Sequence, residues 1–235
     1  MTTAQARMEA VMERVRRAEG MYGRTPGSVT VIAVGKRHSV AALRALHDAG
    51  QRNFGENYVQ EGIGKMEQLA GLELTWHYVG ALQSNKSRGV AEHFDWVHTV
   101  DRLKVAERLS RQRPGDLAPL QLCIQVNVSG EPQKAGCPPE EVQALTERIA
   151  ELPRVRLRGL MALPEPAEEF EAQRRPFARL RELLEACTQA GYGMDTLSMG
   201  MSADLEAAIA EGATHLRVGT ALFGPRPVTQ EDAHA

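Results

Sequence analysis

Apolar runs alternate with helix-type patterns from one end of the chain to the other. Eight runs have the length and the β-branched residues of strands, and most are continuously apolar, as in strands covered on both faces. The eight runs are residues 29–34, 52–56, 76–80, 96–100, 122–128, 156–163, 195–200 and 215–220. A charged amphipathic segment at about 3–20 predicts one further helix before the first strand.

Helix-type spacing of apolar residues fills the segments between these runs. The predicted helices are 39–50, 57–70, 85–92, 102–112, 139–151, 168–190 and 203–211. Ser39 and Ser202 stand where residues that favour a helix N-terminus are expected, and Gly50 stands where a C-terminal cap is expected.

Strands that alternate with helices pair in parallel, and eight such units predict an α/β fold, a single (β/α)8 TIM barrel that spans residues 1–235. No linker or shift in composition marks a second domain. A doubly wound open sheet is the alternative. That fold usually carries a glycine-rich loop after its first strand, whereas here the first strand runs into Gly35-Lys36-Arg37-His38.

The composition narrows the classes of function. The formal net charge of -2 over 235 residues argues against nucleic acid or anionic membrane as the main partner, because both attract a basic surplus. No apolar run approaches the length of a membrane span. The three cysteines are odd in number and widely spaced, and the histidines lack paired spacing. We therefore expect a cytoplasmic protein with no disulfide framework and no metal site.

Lys36 is a candidate nucleophile because it lies where the first strand ends. In a (β/α)8 barrel the site forms at the carboxyl ends of the strands. A lysine that is partly desolvated there has an amine suited to carbonyl chemistry. Taken alone, the position is more typical of a lysine whose ammonium extends into solvent.

Two C-terminal segments strengthen the interpretation of Lys36 as a nucleophile. Residues 198–202 end the seventh predicted strand, and residues 217–220 end the eighth. Loops after strands seven and eight are a recurrent phosphate site in such barrels, and their hydroxyls and glycine-exposed amides are suitable donors. These residues could also be only turn formers and caps. Together, an amine and a phosphate cradle on one rim suit a phosphorylated aldehyde.

Several longer motifs carry a resemblance that covers nearly the whole chain. They are VIAVGK (31–36), FGENYVQE (54–61), WHYVGALQSNK (76–86), VNVSGEPQKAGC (126–137), RGLMAL (158–163) and LSMGMSADLEAAIAEGATHLRVGTALFG (197–224). In these motifs the sequence resembles the YggS/PROSC family of pyridoxal phosphate homeostasis proteins. The resemblance implies a fold-type III barrel like the N-terminal domain of alanine racemase, in which Lys36 forms a covalent Schiff base with pyridoxal 5′-phosphate (PLP).

The resemblance also implies the remaining residues of the cofactor site. Those expected around the phosphate are Ser198, Ser202, Gly219 and Thr220. Arg217 would face the pyridine nitrogen, and Asn57 and His77 would lie near the ring. The sequence departs from the usual family pattern in three places. Gly35 and Arg37 replace the serine before the lysine and the small polar residue after it, and Ala81 stands where proline is usual.

The same features favour a carrier over an enzyme. An arginine opposite the pyridine nitrogen disfavours protonation of that nitrogen and hence carbanion chemistry. The chain stops shortly after Gly224, so we expect it to lack the C-terminal β-domain that supplies the second acid or base in racemases. We expect a monomer without catalytic residues that holds PLP and supplies it to apo-enzymes. The alternatives are a PLP-dependent amino-acid racemase, in which a pocket group such as His77 acts as the second base, and a barrel enzyme whose lysine attacks phosphorylated sugars.

Overall fold

The computed structural model describes residues 3–131 and 134–225, and its centre is a closed barrel of eight parallel strands in sequential order. The strands are β1 (Thr30–Val34), β2 (Asn53–Glu56), β3 (Thr75–Tyr78), β4 (Trp96–Val100), β5 (Leu120–Gln125), β6 (Val155–Met161), β7 (Thr196–Ser198) and β8 (His215–Val218). β8 pairs with β1 from Thr30↔His215 to Ala33↔Val218 and so closes the barrel. The predicted (β/α)8 fold is therefore confirmed, and the open sheet is excluded.

Helices surround the barrel in the order expected from the alternating pattern. They are α1 (Ala4–Met21), α2 (Val40–Asp48), α3 (Val59–Gln68), α4 (Ser87–His93), α5 (Leu103–Gln112), α6 (Val142–Ala150), α7 (Phe170–Gln189), α8 (Leu205–Ala210) and α9 (Thr220–Phe223), with 3-10 turns at Ser84–Lys86 and Pro139–Glu141. The Ser39 hydroxyl accepts a hydrogen bond from the Ala42 amide, which confirms the predicted N-cap of α2. None of the described helices has the length and hydropathy needed to cross a membrane.

Five predicted strands extend too far at their carboxyl ends. Each ends two or three residues before the predicted boundary: β3 at Tyr78, β5 at Gln125, β6 at Met161, β7 at Ser198 and β8 at Val218. The residues just beyond β5 and β6 are apolar because the loops pack them against the core: Val126, Val128 and Ala162 are all buried. Apolar loop residues of this kind cannot be distinguished from strand residues by hydrophobicity alone.

The N-terminal helix α1 packs against α8, α9 and α2, the helices that flank the seam between β8 and β1. It buries Val11, Val15 and Ala18. The Arg7 guanidinium donates to the Leu222 carbonyl at 2.6 Å, which ties α1 to the short helix α9. Because α9 begins directly after Gly219, α1 supports one of the segments expected to hold a phosphate.

The barrel interior is more polar than the layer between sheet and helices. The main apolar core includes Leu43, Phe54 and Phe94, whereas the barrel encloses a separate small cluster of Trp96, Cys123 and Met161. Burial of the Cys123 thiol raises its pKa to about 12, so this side chain is a neutral core residue. Polar groups among the fully or almost fully buried side chains include His77, His98, Ser198 and Arg217.

Candidate cofactor site

A cavity of about 380 Å³ opens at the carboxyl ends of the strands. This volume lies in the range of about 300–1,000 Å³ that is typical of small-molecule sites. Apolar wall residues come from the strand ends and the loops after them: Val34, Val79, Met161 and Leu163. The location is the one at which barrels of this type place their ligand sites.

Six of the eight site residues predicted from the sequence line this cavity. They are Lys36, Asn57, Ser202, Arg217, Gly219 and Thr220. The cavity therefore brings the end of β1 together with the loops after β7 and β8, as expected. The backbones of Asn57 and Gly80 approach so closely that a Cβ atom at residue 80 would overlap the Asn57 carbonyl.

Ser198 and His77 do not line the cavity, contrary to the expectation that one contacts the phosphate and the other the ring. Both side chains are fully buried inside the barrel. The Ser198 hydroxyl is 2.8 Å from both the His98 ring and the Arg217 guanidinium. His77 Nδ1 lies 3.0 Å from His98 Nε2, and His77 Nε2 lies 3.0 Å from Asn53 Oδ1. Their polar atoms are used within the protein.

Lys36 lies in a tight turn that begins at the end of β1. The His38 amide donates to the Gly35 carbonyl at 2.9 Å across this turn. Arg37 has a φ of 63°, a left-handed conformation that costs a non-glycine residue about 1–2 kcal/mol. The Arg37 amide donates to Glu61 Oε1 at 2.6 Å, and this bond holds the strained residue in place.

Lys65 braces the other side of the same turn. Its ammonium donates to the Gly35 carbonyl, to Glu56 Oε1 and to Glu61 Oε1, each at 2.7 Å. The Lys65 side chain is 6% exposed and the Glu56 side chain 0%. We refer to Lys65, Glu56 and Glu61 as the charged support. It fixes the residues on both sides of Lys36.

Gly35 gives the charged support the room it needs. A Cβ atom at this position would lie 2.7 Å from Glu56 Oε1 and 3.2 Å from a methyl group of Leu43. A side chain larger than hydrogen would therefore force the carboxylate to move. Gly35 thus leaves room for the buried ion pair beneath Lys36.

The Glu56 carboxyl is poised between its charged and neutral forms. Burial raises the pKa of Glu56 to about 7, although the adjacent Lys65 ammonium opposes this shift. Glu56 Oε2 is buried and has no hydrogen-bond partner among the described residues. The Lys65 nitrogen, by contrast, is surrounded by three oxygen atoms at hydrogen-bond distance, which leaves it no position from which to attack a carbonyl.

Lys134, in the loop after β5, is not one of the residues that line this cavity. Its ammonium is 2.8 Å from Glu131 Oε1 and 3.4 Å from Glu165 Oε1. Among the described lysines, Lys36 is the one that lines the cavity.

Arg217 presents a buried cation to the cavity. Its residue is 6% exposed, and burial lowers the pKa of the guanidinium to about 10, so it stays charged at neutral pH. Nη1 donates to the Ser198 hydroxyl and Nη2 to the Ala162 carbonyl, both at 2.8 Å. Both acceptors are neutral. The Asp204 carboxylate, which acts on Arg217 electrostatically, accepts its own hydrogen bond from the Met201 amide.

The polar end of the cavity is formed by two turns. Ser202 lies in the turn that precedes α8, which begins at Leu205 rather than at the predicted residue 203. Gly219 and Thr220 form the start of α9. Hydroxyl groups and exposed amides are the donors that a phosphate dianion requires. A phosphate here and a carbonyl carbon at Lys36 are compatible with one small ligand.

Sequence reasoning missed several features of the site. His38 lines the cavity and stacks on Phe223, with ring centroids 4.4 Å apart and an interplanar angle of 13°. Lys65 was also missed, although it lies four residues after Glu61 on one helix, a spacing that favours an ion pair. Among the described residues, no group of three or more His, Cys, Asp or Glu side chains is arranged to hold a metal ion.

Comparison with known proteins gives full-length matches. The model of the alanine racemase N-terminal domain matches residues 7–227. The pyridoxal phosphate homeostasis protein of Pseudomonas aeruginosa is 57% identical over 226 residues, which cover 96% of this chain and 97% of that protein. The protein of the same name from Escherichia coli K12 is 48% identical over 225 residues, or 94% and 96% of the two chains.

Solved structures agree with these matches. The structure of PipY from Synechococcus elongatus with PLP bound has a TM-score of 0.80 and 41% sequence identity, and the match covers 91% of this chain and all of PipY. Alanine racemase from Corynebacterium glutamicum has a TM-score of 0.68 at 16% identity and covers 94% of this chain and 63% of its own, a likeness of fold alone. The chain belongs to the YggS/PROSC family of pyridoxal phosphate homeostasis proteins.

Proposed function

We propose that this protein binds PLP covalently through Lys36 and acts in PLP homeostasis by holding the cofactor and supplying it to apo-enzymes. The observation that carries the proposal is one cavity whose wall contains Lys36, Arg217 and the Ser202, Gly219 and Thr220 cradle. The names of the relatives and the PLP-bound structure of PipY support the choice of cofactor.

The residues present suit PLP in shape and chemistry. When bound, this cofactor supplies an aldehyde for covalent attachment and an electron-poor ring. The Ser202 and Thr220 hydroxyls would hold the phosphate, Asn57 would lie beside the ring, and Arg217 would face the ring nitrogen. Val34 and Met161 provide apolar wall.

Lys36 makes storage reversible. Its amine nitrogen forms a bond to the aldehyde carbon, and the aldehyde oxygen leaves as water. Addition of water reverses the reaction and restores the free amine, so one site can both hold and release the cofactor. The charged support keeps the backbone of Lys36 in one position throughout, since Gly35 and Arg37 are both hydrogen-bonded to it.

The geometry of the site favours storage of PLP over catalysis of a reaction such as racemisation. Arg217 keeps a positive charge at the cavity wall, and this charge opposes protonation of a ring nitrogen beside it. His77, the candidate second base of a racemase, is fully buried and has both ring nitrogens in hydrogen bonds. Burial lowers the pKa of His77 well below its ordinary value. The relatives are named homeostasis proteins rather than enzymes.

We also propose a cytoplasmic monomer. Cys123, Cys137 and Cys187 are free, buried thiols, which is typical of a reducing compartment. A closed barrel has no exposed sheet edge that requires a partner strand. Its partners in this proposal are PLP and the apo forms of PLP-dependent enzymes.

The proposed function is tested by measuring the transfer of PLP from this protein to an apo-enzyme. The PLP-loaded protein is mixed with an apo form of a PLP-dependent enzyme, and recovery of that enzyme's activity is followed over time. We expect recovery with the native protein and with Lys104→Ala, which changes an exposed lysine on α5, but not with Lys36→Ala after removal of unbound cofactor.

Racemisation assays on alanine, serine and glutamate provide the other arm of the test. Turnover near 1 s⁻¹, the low end of ordinary enzyme rates of roughly 1–10³ s⁻¹, would contradict a carrier and support the racemase. A protein that takes up no PLP and stays colourless would support an enzyme that acts on phosphorylated sugars.

A further inference from the structure

A continuous chain of hydrogen bonds runs through the barrel interior from Arg217 to the opposite end of the sheet. Arg217 Nη1 is 2.8 Å from Ser198 Oγ, which is 2.8 Å from His98 Nδ1. His98 Nε2 is 3.0 Å from His77 Nδ1, and His77 Nε2 is 3.0 Å from Asn53 Oδ1. Asn53 is the first residue of β2, so the chain ends at the amino side of the barrel.

The chemistry of its ends gives the chain one direction. A guanidinium only donates, so the Ser198 oxygen accepts from Arg217 and the single Ser198 proton goes to His98 Nδ1. His98 therefore carries its proton on Nε2 and donates it to His77 Nδ1. His77 in turn carries its proton on Nε2 and donates it to the Asn53 carbonyl oxygen. Every donor and acceptor along the chain is then paired.

The opposite direction leaves a group unsatisfied. If His98 donated from Nδ1, the Ser198 oxygen would accept from both neighbours and its own proton would have no acceptor in the chain. An unpaired polar group in a buried site costs about 1–3 kcal/mol. Hydrogen-bond donation in the direction from Arg217 to Asn53 avoids this cost.

The surroundings keep both histidines neutral. His77 and His98 have 0% exposure, and burial is the largest cause that lowers the pKa of each well below its ordinary value. The ring of His215 lies 6.1 Å from both of their rings, and the positive charge of Arg217 also acts on His98. A second positive charge within this cluster would be repelled by the first.

We infer that Ser198, His98 and His77 are positioning residues that fix the Arg217 guanidinium through a neutral, one-directional chain, which adds no opposing charge to it. A carboxylate in place of Ser198 would hold the guanidinium equally firmly but would neutralise it. The inference rests on the proposed function only for the identity of the ligand that Arg217 faces. The chain itself is a property of the protein without cofactor.

The test therefore uses the full-length protein without PLP. In protein labelled with ¹⁵N-histidine, at neutral pH, we expect the ring signals of His77 and His98 to show a proton on Nε2 and none on Nδ1. The signals are assigned with His77→Gln and His98→Gln. A proton on Nδ1 in either ring would overturn the proposed direction.

The positioning role has its own readout in the arginine side chain. Restricted rotation should give separate Nη1 and Nη2 signals for Arg217, which is assigned with Arg217→Lys. Ser198→Ala should merge or broaden these signals, whereas Ser110→Ala should leave them unchanged. Ser110 is a matched control because it is a buried serine on an outer helix that donates to the Pro153 carbonyl.

A third variant probes the far end of the chain. Asn53→Leu removes the terminal acceptor, and we expect it to broaden the Arg217 signals less than Ser198→Ala does, with the circular dichroism of the native protein retained. Arg217 signals that are identical in the native protein and in Ser198→Ala would overturn the positioning role. Because no cofactor is present, a failure of PLP binding in the transfer experiment leaves this result valid.

Discussion

Lys36 and Arg217 face the same cavity, but opposite kinds of chemistry hold them. The turn of Lys36 is held by the charged support, in which one ammonium bridges two carboxylates and a carbonyl. Arg217 is held by the neutral chain of Ser198, His98 and His77. The charged support contains a group that titrates near neutral pH, whereas the neutral chain contains none.

The difference matches what each residue must do. In the proposed function Lys36 forms and breaks a covalent bond, and the ions around it fix its backbone while they hold Lys65 away from the reaction. Arg217 has to keep its charge in one place, and neutral acceptors allow this because they add no opposing charge. The guanidinium is therefore held by a hydrogen bond that does not offset its charge.

The two regions should differ most clearly in the stability that is lost when one hydrogen-bonding side chain is removed from each. Lys65→Met leaves Glu56 and Glu61 without their cation, and loss of one partner of a buried pair typically costs about 3–5 kcal/mol of stability. Asn53→Leu removes one neutral acceptor, which costs about 1–3 kcal/mol. Urea denaturation of both variants measures the two losses.

A double variant controls for packing at Lys65. Glu56→Gln combined with Lys65→Met removes both main charges and should recover part of the stability lost in Lys65→Met. Equal losses in Lys65→Met and Asn53→Leu, with no recovery in the double variant, would contradict the distinction between the two regions.

A methyl group at residue 35 should disturb the charged support and leave the neutral chain intact. Gly35→Ala places a Cβ atom 2.7 Å from Glu56 Oε1, and overpacking of this kind costs about 1–3 kcal/mol. Gly64→Ala is the matched control, because a Cβ atom at Gly64 meets nothing within 4 Å and alanine favours the helix interior. Thermal denaturation compares the two, and a Gly35→Ala variant as stable as Gly64→Ala would show that the carboxylate is not confined.

The two regions should respond to pH with opposite signs. His77 and His98 have folded-state pKa values below the ordinary 6.5, so the unfolded chain binds more protons and the free energy of unfolding falls as the pH drops below 6.5. The pKa of Glu56 is raised from 4.5 to about 7, so the folded state binds more protons and the free energy of unfolding falls as the pH rises from 4.5 through 7. Each group contributes at most about 1.4 kcal/mol per pH unit.

Denaturation at pH 5.5 and pH 7.5 tests these signs. Relative to the native protein, Glu56→Gln should gain stability at the higher pH, and His98→Gln should lose less stability at the lower pH. If both variants shift the pH dependence in the same direction, the assignment of one charged and one neutral region is incorrect.

Much of the fold follows from the sequence because the alternation of apolar strands and amphipathic helices leaves few architectures. Strand ends were harder to predict, since Val126 and Ala162 are apolar residues of loops that pack onto the core. The ends of the predicted strands pointed to Lys36 and to the segments 198–202 and 217–220, whereas Asn57 and the choice of individual residues within the segments came from the family resemblance.

Ser198 and His77 could not be placed from the sequence, because their depth depends on the stagger of the barrel. Ser198 is the last residue of β7, yet it pairs with His215, the first residue of β8. The end of β7 therefore lies level with the start of β8 and below the rim. His77 pairs with Trp96, the first residue of β4, and so lies deep for the same reason. Stagger is a property of the closed sheet and is not encoded in any one strand.

The central claim is that Lys36, and not another lysine near the cavity, carries the cofactor. The PLP-loaded protein should absorb in the visible, and borohydride reduction should shift that band and fix the cofactor to the chain. Peptide mapping by mass spectrometry should then find the modification on the peptide that contains Lys36 and lose it in Lys36→Ala. A modification on Lys65 or Lys134, or the same reducible band in Lys36→Ala, would contradict the account.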